Sequence, residues 1–193
     1  TGATRVVVGL GGSGTNDGGA GLLSALGATA EGGPLDEGPA GLAELTEVDL
    51  TKVRERFAGV DLIMASDVDN PLLGINGATK VYGPQKGADP RQVVTLDAGL
   101  THLVDRLATN GYPTARRFAV TAGAGAAGGL GFASLLLGGH MVSGADFFLD
   151  LLPGRHVQDL LPGFAEGHGL GNRTRRAHPA ADRVVQAGQR GPA

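Results

Sequence analysis

The chain has 193 residues, 35 of them glycine, with Lys+Arg 16 against Asp+Glu 19, no cysteine and no tryptophan. Glycine stands at more than twice its ordinary share of roughly 7 %, but no Gly-X-Y period runs through the sequence, so collagen is excluded. A formal charge of −3 gives no general basic field for nucleic acid, no polybasic run suits a membrane surface, and no apolar stretch reaches the ~18 residues that span a bilayer. The opening residues lack the apolar core of a signal peptide, and the expectation is a cytoplasmic protein. The length allows one sizeable domain or two small ones. The first residue is Thr1, not Met, and a strand pattern begins only a few residues in; the chain reads as a piece of a longer one.

Taken in order, the elements alternate between strand and helix. Arg5 to Leu10 contains the β-branched run Val6-Val7-Val8 and stops at a glycine loop, the pattern of a buried parallel strand that feeds a helix. Residues 18–26 are apolar with helical character, and 31–41, with Gly32, Gly33, Pro34, Gly38 and Pro39, predict turn. Val60 to Ala65 is a second apolar run, closed by Ser66-Asp67-Val68-Asp69-Asn70-Pro71, which cannot continue as strand past the proline. A helix begins at Asp89, with Pro90 at its first position, Gln92 three residues after the cap, and an apolar stripe of Val93, Leu96, Leu100, Leu103, Val104 and Leu107. Phe118 to Thr121 predicts another short strand before a second glycine cluster. The resulting expectation is an α/β chain, a largely parallel sheet with helices on its faces.

The glycines are clustered: seven fall in residues 1–20 and seven in 121–140. Each cluster opens an apolar helical stretch, and residues 18–26 and 128–136 agree at five of nine positions. The expectation is one device used twice.

Three segments carry candidate chemistry. Gly9-Leu10-Gly11-Gly12-Ser13-Gly14 matches G-x-G-x-x-G after a strand, but the acidic residue that a dinucleotide fold requires about 20 positions on falls to Glu31 or Asp36, inside a Gly/Pro turn. The physical content survives: glycines let backbone N–H groups approach an anion at a helix N-terminus, and Ser13, Thr15, Asn16 and Asp17 stand beside them. The alternative is a tight turn with a capped helix. Asp67 and Asp69, at i and i+2 on the carboxyl end of a strand, suit Mg²⁺ or a general base, or else a turn cap and a solvated charge. Gly83-Pro84-Gln85-Lys86-Gly87 frames one of only three lysines with glycine and suits a phosphate, or is a surface turn. There is no P-loop motif and no zinc spacing among His102, His140, His156, His168 and His178. Ser13 fails G-x-S-x-G because position 15 is Thr15, which leaves a serine hydrolase as a weak alternative.

Together, Gly-Gly-Ser-Gly-Thr-Asn-Asp-Gly-Gly at 11–19, Ala-Ser-Asp-Val-Asp-Asn-Pro-Leu-Leu-Gly at 65–74, Gly-Pro-Gln-Lys-Gly-Ala at 83–88 and Gly-Ala-Gly-Ala-Ala-Gly-Gly-Leu-Gly at 123–131 resemble the bacterial glycerate kinase family. The resemblance covers roughly Arg5 to Leu152 and departs from the family at Gly14, where alanine is usual. It implies ATP-dependent phosphorylation of glycerate with Mg²⁺, in a longer protein of two α/β parts with the active site between them, of which this chain is an incomplete piece. Carried onto the matched motifs, it implies phosphate or glycerate binding by Gly11, Gly12, Ser13, Thr15, Asn16, Asn70 and Gln85. Asp17 would hydrogen-bond the loop, Asp67 and Asp69 would serve metal or proton transfer, and Lys86 would neutralise charge. Glycerate and ATP are then the expected partners, with no nucleic acid and no membrane. Two other readings stay open: an inactive fragment that binds phosphate or glycerate at most, and an NAD-dependent reductase.

The organisation expected is a central kinase-like part, 1–152, and a divergent tail, 153–193. After Leu152 the family would continue with a strand and a Gly-Glu-Gly motif, whereas the segment from 171 onward holds five arginines against one acid and no amphipathic period. This composition suggests either a GC-rich gene read in a shifted frame or a disordered natural tail.

Overall fold

The computed structural model describes residues 2–150 and the strand at 184–186. The run of valines forms β1 (Arg5–Gly9), and the second apolar run forms β4 (Asp61–Ala65). They pair in parallel from Arg5 opposite Asp61 to Gly9 opposite Ala65, with an Arg5–Asp61 ion pair of 2.8 Å at the start. The sheet is completed by β5 (His140–Val142) beside β4 and β6 (Val184–Gln186) beside β1, all parallel, in the order β5-β4-β1-β6. The expected parallel sheet is therefore present. Val184-Val185-Gln186 lies within the stretch read as a divergent tail; the frame and disorder readings for the rest of 153–193 lie outside the described residues.

Alternation puts apolar side chains on both faces of the sheet, which is why its strands read as continuous hydrophobic runs. Val7, Ile63 and Ala65 pack on one face with Val142 and Phe147, the latter from α7 (Gly144–Asp150). Leu62 and Met64 join the larger core on the other face, which also holds Leu23 of α1 (Ala20–Leu26) and Phe132 of α6 (Leu130–Leu136). The segment 29–49 makes a separate antiparallel pair, β2 (Thr29–Glu31) with β3 (Glu47–Asp49), joined through a 3₁₀ turn at Gly38–Glu44. Glu31 thus belongs to this side ribbon and Asp36 is exposed in its loop, neither of them at the tip of a strand beside β1. The short α2 (Thr51–Phe57) leads back to β4.

The helix predicted from Asp89 is α4 (Pro90–Thr109), and its capping box is formed. Asp89 Oδ1 accepts from the N–H groups of Arg91 and Gln92, each at 2.8 Å, while Gln92 Oε1 accepts from Asp89 N at 2.8 Å. Leu100, Leu103, Val104 and Leu107 of its stripe are buried. Ahead of it lies α3 (Ala78–Tyr82), followed by a 3₁₀ turn at Pro84–Lys86.

The strand expected at 118–121 is instead the end of a helix, α5 (Ala115–Ala119). Four apolar residues do not distinguish the two periods; here Ala115 and Ala119, four apart, are buried while Val120 is 64 % exposed, which is a helical face and not a strand between neighbours.

Candidate functional site

Parallel pairing sends the loops that follow β1, β4 and β5 to one edge of the sheet, where open α/β folds place ligand groups. The loop after β1 divides in two. Gly11, Gly12, Gly14 and Thr15 are exposed, whereas Asn16, Asp17, Gly18 and Gly19 are buried. Asp17 Oδ1 accepts from Gly19 N at 2.9 Å and Oδ2 from Gly21 N at 3.1 Å. The first turn of α1 is therefore already served by an anion, the Asp17 carboxylate itself.

Paired glycines in the left-handed region precede both helices: Gly18 (φ 69°) and Gly19 (φ 77°) before α1, Gly128 (φ 72°) and Gly129 (φ 106°) before α6. The device expected from the sequence agreement is thus used twice, and the two copies face each other. Gly18 N donates to Gly128 O at 3.0 Å. A Cβ on Gly128 would lie 2.0 Å from Thr15 O, and one on Gly129 2.3 Å from Gly18 Cα. Only glycine permits this backbone contact. The same second cluster holds the loop after β4, because Gly125 N donates to Asn70 O at 2.9 Å.

Lys86 joins the third segment to the first. Its Nζ donates to Ser13 Oγ at 3.0 Å and to the carbonyl oxygen of Thr15, residues 73 and 71 positions away. Burial pushes the Lys86 ammonium below the ordinary lysine range, and the Asp17 carboxylate opposes that shift. Gln85 is exposed on the same turn.

The carboxylates after β4 separate in role. Asp67 Oδ1 accepts from Ser143 Oγ and from Ala145 N, both at 3.2 Å, and so holds the start of α7. Asp69 is exposed and makes no hydrogen bond or ion pair among the described residues. Tyr82 OH donates to Asn70 Oδ1 at 2.5 Å, and Asn70 Nδ2 donates to Asn76 O at 3.0 Å. Burial first, then the Asp69 charge, raise the Tyr82 phenol above its ordinary value. Among the described residues no hydrogen bond links this loop directly to Ser13 or Lys86.

The sequence model of the glycerate kinase family matches residues 1–159. The chain belongs to the glycerate kinase family. It is 43 % identical over 137 residues to a glycerate kinase of Bacillus subtilis (strain 168), covering 69 % of this chain and 35 % of the relative. It is 38 % identical over 164 residues to the glycerate 2-kinase of Escherichia coli (strain K12), covering 82 % of this chain and 42 % of the relative. A crystal structure assigned as glycerate kinase 2 of Salmonella typhimurium LT2 superposes with a TM-score of 0.69 at 36 % identity, over 76 % of this chain and 40 % of that one. The chain thus spans well under half the length of these glycerate kinases.

Within this glycerate kinase framework one contributing residue carried no sequence signal of its own. Thr79, fully buried, accepts from Asn16 Nδ2 at 2.9 Å, and Asn16 Oδ1 is buried without a partner among the described residues. Exchanging the two amide atoms would leave the other one unpaired. Ser143 did have a signal, since Ser143-Gly144-Ala145-Asp146 has the spacing of a capping box; its Oγ accepts from Asp146 N at 3.2 Å.

Among the described residues no group of three or more His, Asp and Glu side chains converges as a metal cage. Mg²⁺ is usually bound by one or two carboxylates with substrate phosphates completing the shell, a donor type and number that Asp67 and Asp69 would supply. His102 is occupied structurally, with Nε2 2.7 Å from Leu45 O. No described helix is long and apolar enough to cross a membrane.

Proposed function

We propose that the glycine loop, Lys86 and the loop after β4 form one wall of a glycerate kinase site, in which ATP phosphorylates a hydroxyl of glycerate. The observation that carries this reading is Lys86 Nζ held against Ser13 Oγ and Thr15 O, which puts a cation at the exposed tip of the glycine loop. Phosphoryl transfer depends mainly on positioning and on neutralising charge. Lys86, with Ser13 and Thr15 and the N–H groups of Gly11 and Gly12, would hold the transferring phosphate, and Gln85 lies beside them. Asn16 is fixed by Thr79 beneath the loop, and Asn70 orients the opposite side.

In the transfer, the glycerate hydroxyl oxygen forms a bond to the terminal phosphorus, the bond from that phosphorus to the ADP oxygen breaks, and the hydroxyl proton passes to a carboxylate. Asp69 suits proton acceptance because it is exposed and uncommitted, whereas Asp67 is engaged by Ser143 and Ala145. Asp67 and Asp69 would also hold Mg²⁺, which when bound supplies charge neutralisation to the phosphates.

A second reading is favoured by the chain's share of its relatives, 35 % to 42 % of their length: these residues bind glycerate or phosphate without turning over. A coupled ATP assay with glycerate, run beside calorimetric titration of glycerate, separates the two. Turnover that is lost in Lys86→Met supports the kinase reading. Binding without turnover supports the second, and neither would end both.

A further inference from the structure

We propose that the cleft beside Lys86, between the 83–88 turn and the first turns of α4, seats the nucleoside of the phosphoryl donor. The inference rests on the kinase reading above and adds where the donor lies and which residues recognise it. The cleft is a depression of about 390 Å³, largely open to solvent and lined by Lys86, Gly87, Ala88, Arg91, Gln92, Thr95 and Leu96. That volume lies within the ~300–1,000 Å³ range of small-molecule sites. An open surface of that extent suits a flat base and ribose laid along it, whereas a three-carbon hydroxy acid would meet only part of it.

The lining favours the same ligand. Leu96 and Ala88 give an apolar surface for a base; at its margin Gln92 Oε1 is taken by Asp89 N, which leaves Nε2 to donate, and Thr95 Oγ1, which donates to Arg91 O, keeps its capacity to accept. The N-terminus of α4 does not itself attract a free anion here, since Asp89 Oδ1 takes the N–H groups of Arg91 and Gln92, Asp89 O takes that of Val93, and Pro90 has none. Positive charge therefore comes from side chains, Arg91 within the cleft and Lys86 at the end that meets the glycine loop. Lys86 borders the cleft and also touches Ser13 and Thr15. A ligand with its base against Leu96 and its phosphates running past Lys86 would deliver its terminal phosphate to the exposed loop at 11–15.

Calorimetric titration of the 193-residue chain with ADP, and separately with glycerate, tests this on the wild type, Thr95→Trp and Arg91→Ala. Thr95 and Arg91 are exposed, so both variants should fold, and circular dichroism checks that they do. The expected result is ADP affinity reduced at least tenfold by Thr95→Trp and several-fold by Arg91→Ala, with glycerate affinity unchanged. Equal ADP affinity in all three proteins overturns the cleft assignment and leaves the kinase reading standing, as long as glycerate also binds. Cleft-dependent ADP binding without any glycerate binding upholds the cleft and removes the glycerate reading. A wild-type chain that binds no ADP overturns the proposal outright.

Discussion

Gly18 and Gly128, 110 positions apart, meet backbone to backbone, with the Gly18 N–H donating to the Gly128 carbonyl at 3.0 Å. Gly128 also has φ 72° and no room for a Cβ, which would fall 2.0 Å from Thr15 O. Gly128→Ala therefore combines left-handed strain with overpacking and should destabilise the chain by about 3 kcal/mol. The midpoint of urea unfolding measures it; a loss under about 1 kcal/mol would show that the two loops separate readily.

Gly14 is the opposite case. A Cβ there meets nothing within 4 Å, and its φ is not in the left-handed region. Gly14→Ala, which restores the residue usual in the family, should stabilise the chain by about 0.4–1 kcal/mol by narrowing the unfolded ensemble. The same urea titration reads it, and destabilisation would contradict the open geometry.

Asp89→Ala removes the half of the α4 capping box that its own carboxylate makes, leaves Gln92 Oε1 on the backbone N–H of residue 89, and should cost about 1 kcal/mol. Asp89→Asn, which keeps an acceptor oxygen, should recover most of that loss. Thermal unfolding of the two variants distinguishes a cap from a general charge effect.

Lys86 carries a signed pH dependence. Its pKa in the folded chain is lowered by burial, so between that value and the ordinary lysine value near ~10.4 the unfolded chain binds more protons, and stability rises with pH across this window. Binding of inorganic phosphate should fall in the same window as the ammonium loses its proton. In Lys86→Arg, whose guanidinium stays charged, the alkaline fall should vanish while binding at neutral pH is weakened. A wild-type profile flat to the ordinary lysine range would contradict the burial argument.

Asp69 and Tyr82 form a second electrostatic test. Removing the carboxylate in Asp69→Asn should move the Tyr82 phenol down towards its ordinary value, without fully reaching it because burial remains the larger cause. Ultraviolet titration of tyrosinate, with Tyr82→Phe to separate the signal from Tyr112, measures this. If Asp69 accepts the glycerate proton, the same variant in an active enzyme of the family should lose more than tenfold in kcat with thermal stability intact.

The elements most legible in the sequence were those whose information is local. Val6-Val7-Val8, the Asp89–Gln92 box and the stripe from Val93 to Leu107 each specify their conformation within a few residues. Phe118 to Thr121 reads as strand in the sequence because the deciding fact, burial of Ala115 and Ala119 with Val120 left outside, is a tertiary one. The site followed the same division. Its motifs could be picked out, but nothing in the sequence announced that Lys86 would reach Ser13, or that Thr79 would lie under Asn16, because those contacts cross 63 to 73 residues. Asp67 and Asp69 look equivalent on paper; only the arrival of α7 separates them.

The all-parallel sheet has a kinetic consequence. Arg5 pairs with Asp61 and Ile63 with His140, so each of these neighbouring strands is brought together only after a long stretch of intervening chain has been organised. Closing such loops precedes the reward of strand pairing, which makes parallel topologies slow to fold and exposes their apolar strands meanwhile. Helix α4, with its own cap and local contacts, can form early; β1 and β4 must wait, and recovery of this chain from denaturant should be governed by their late docking and improve at low protein concentration.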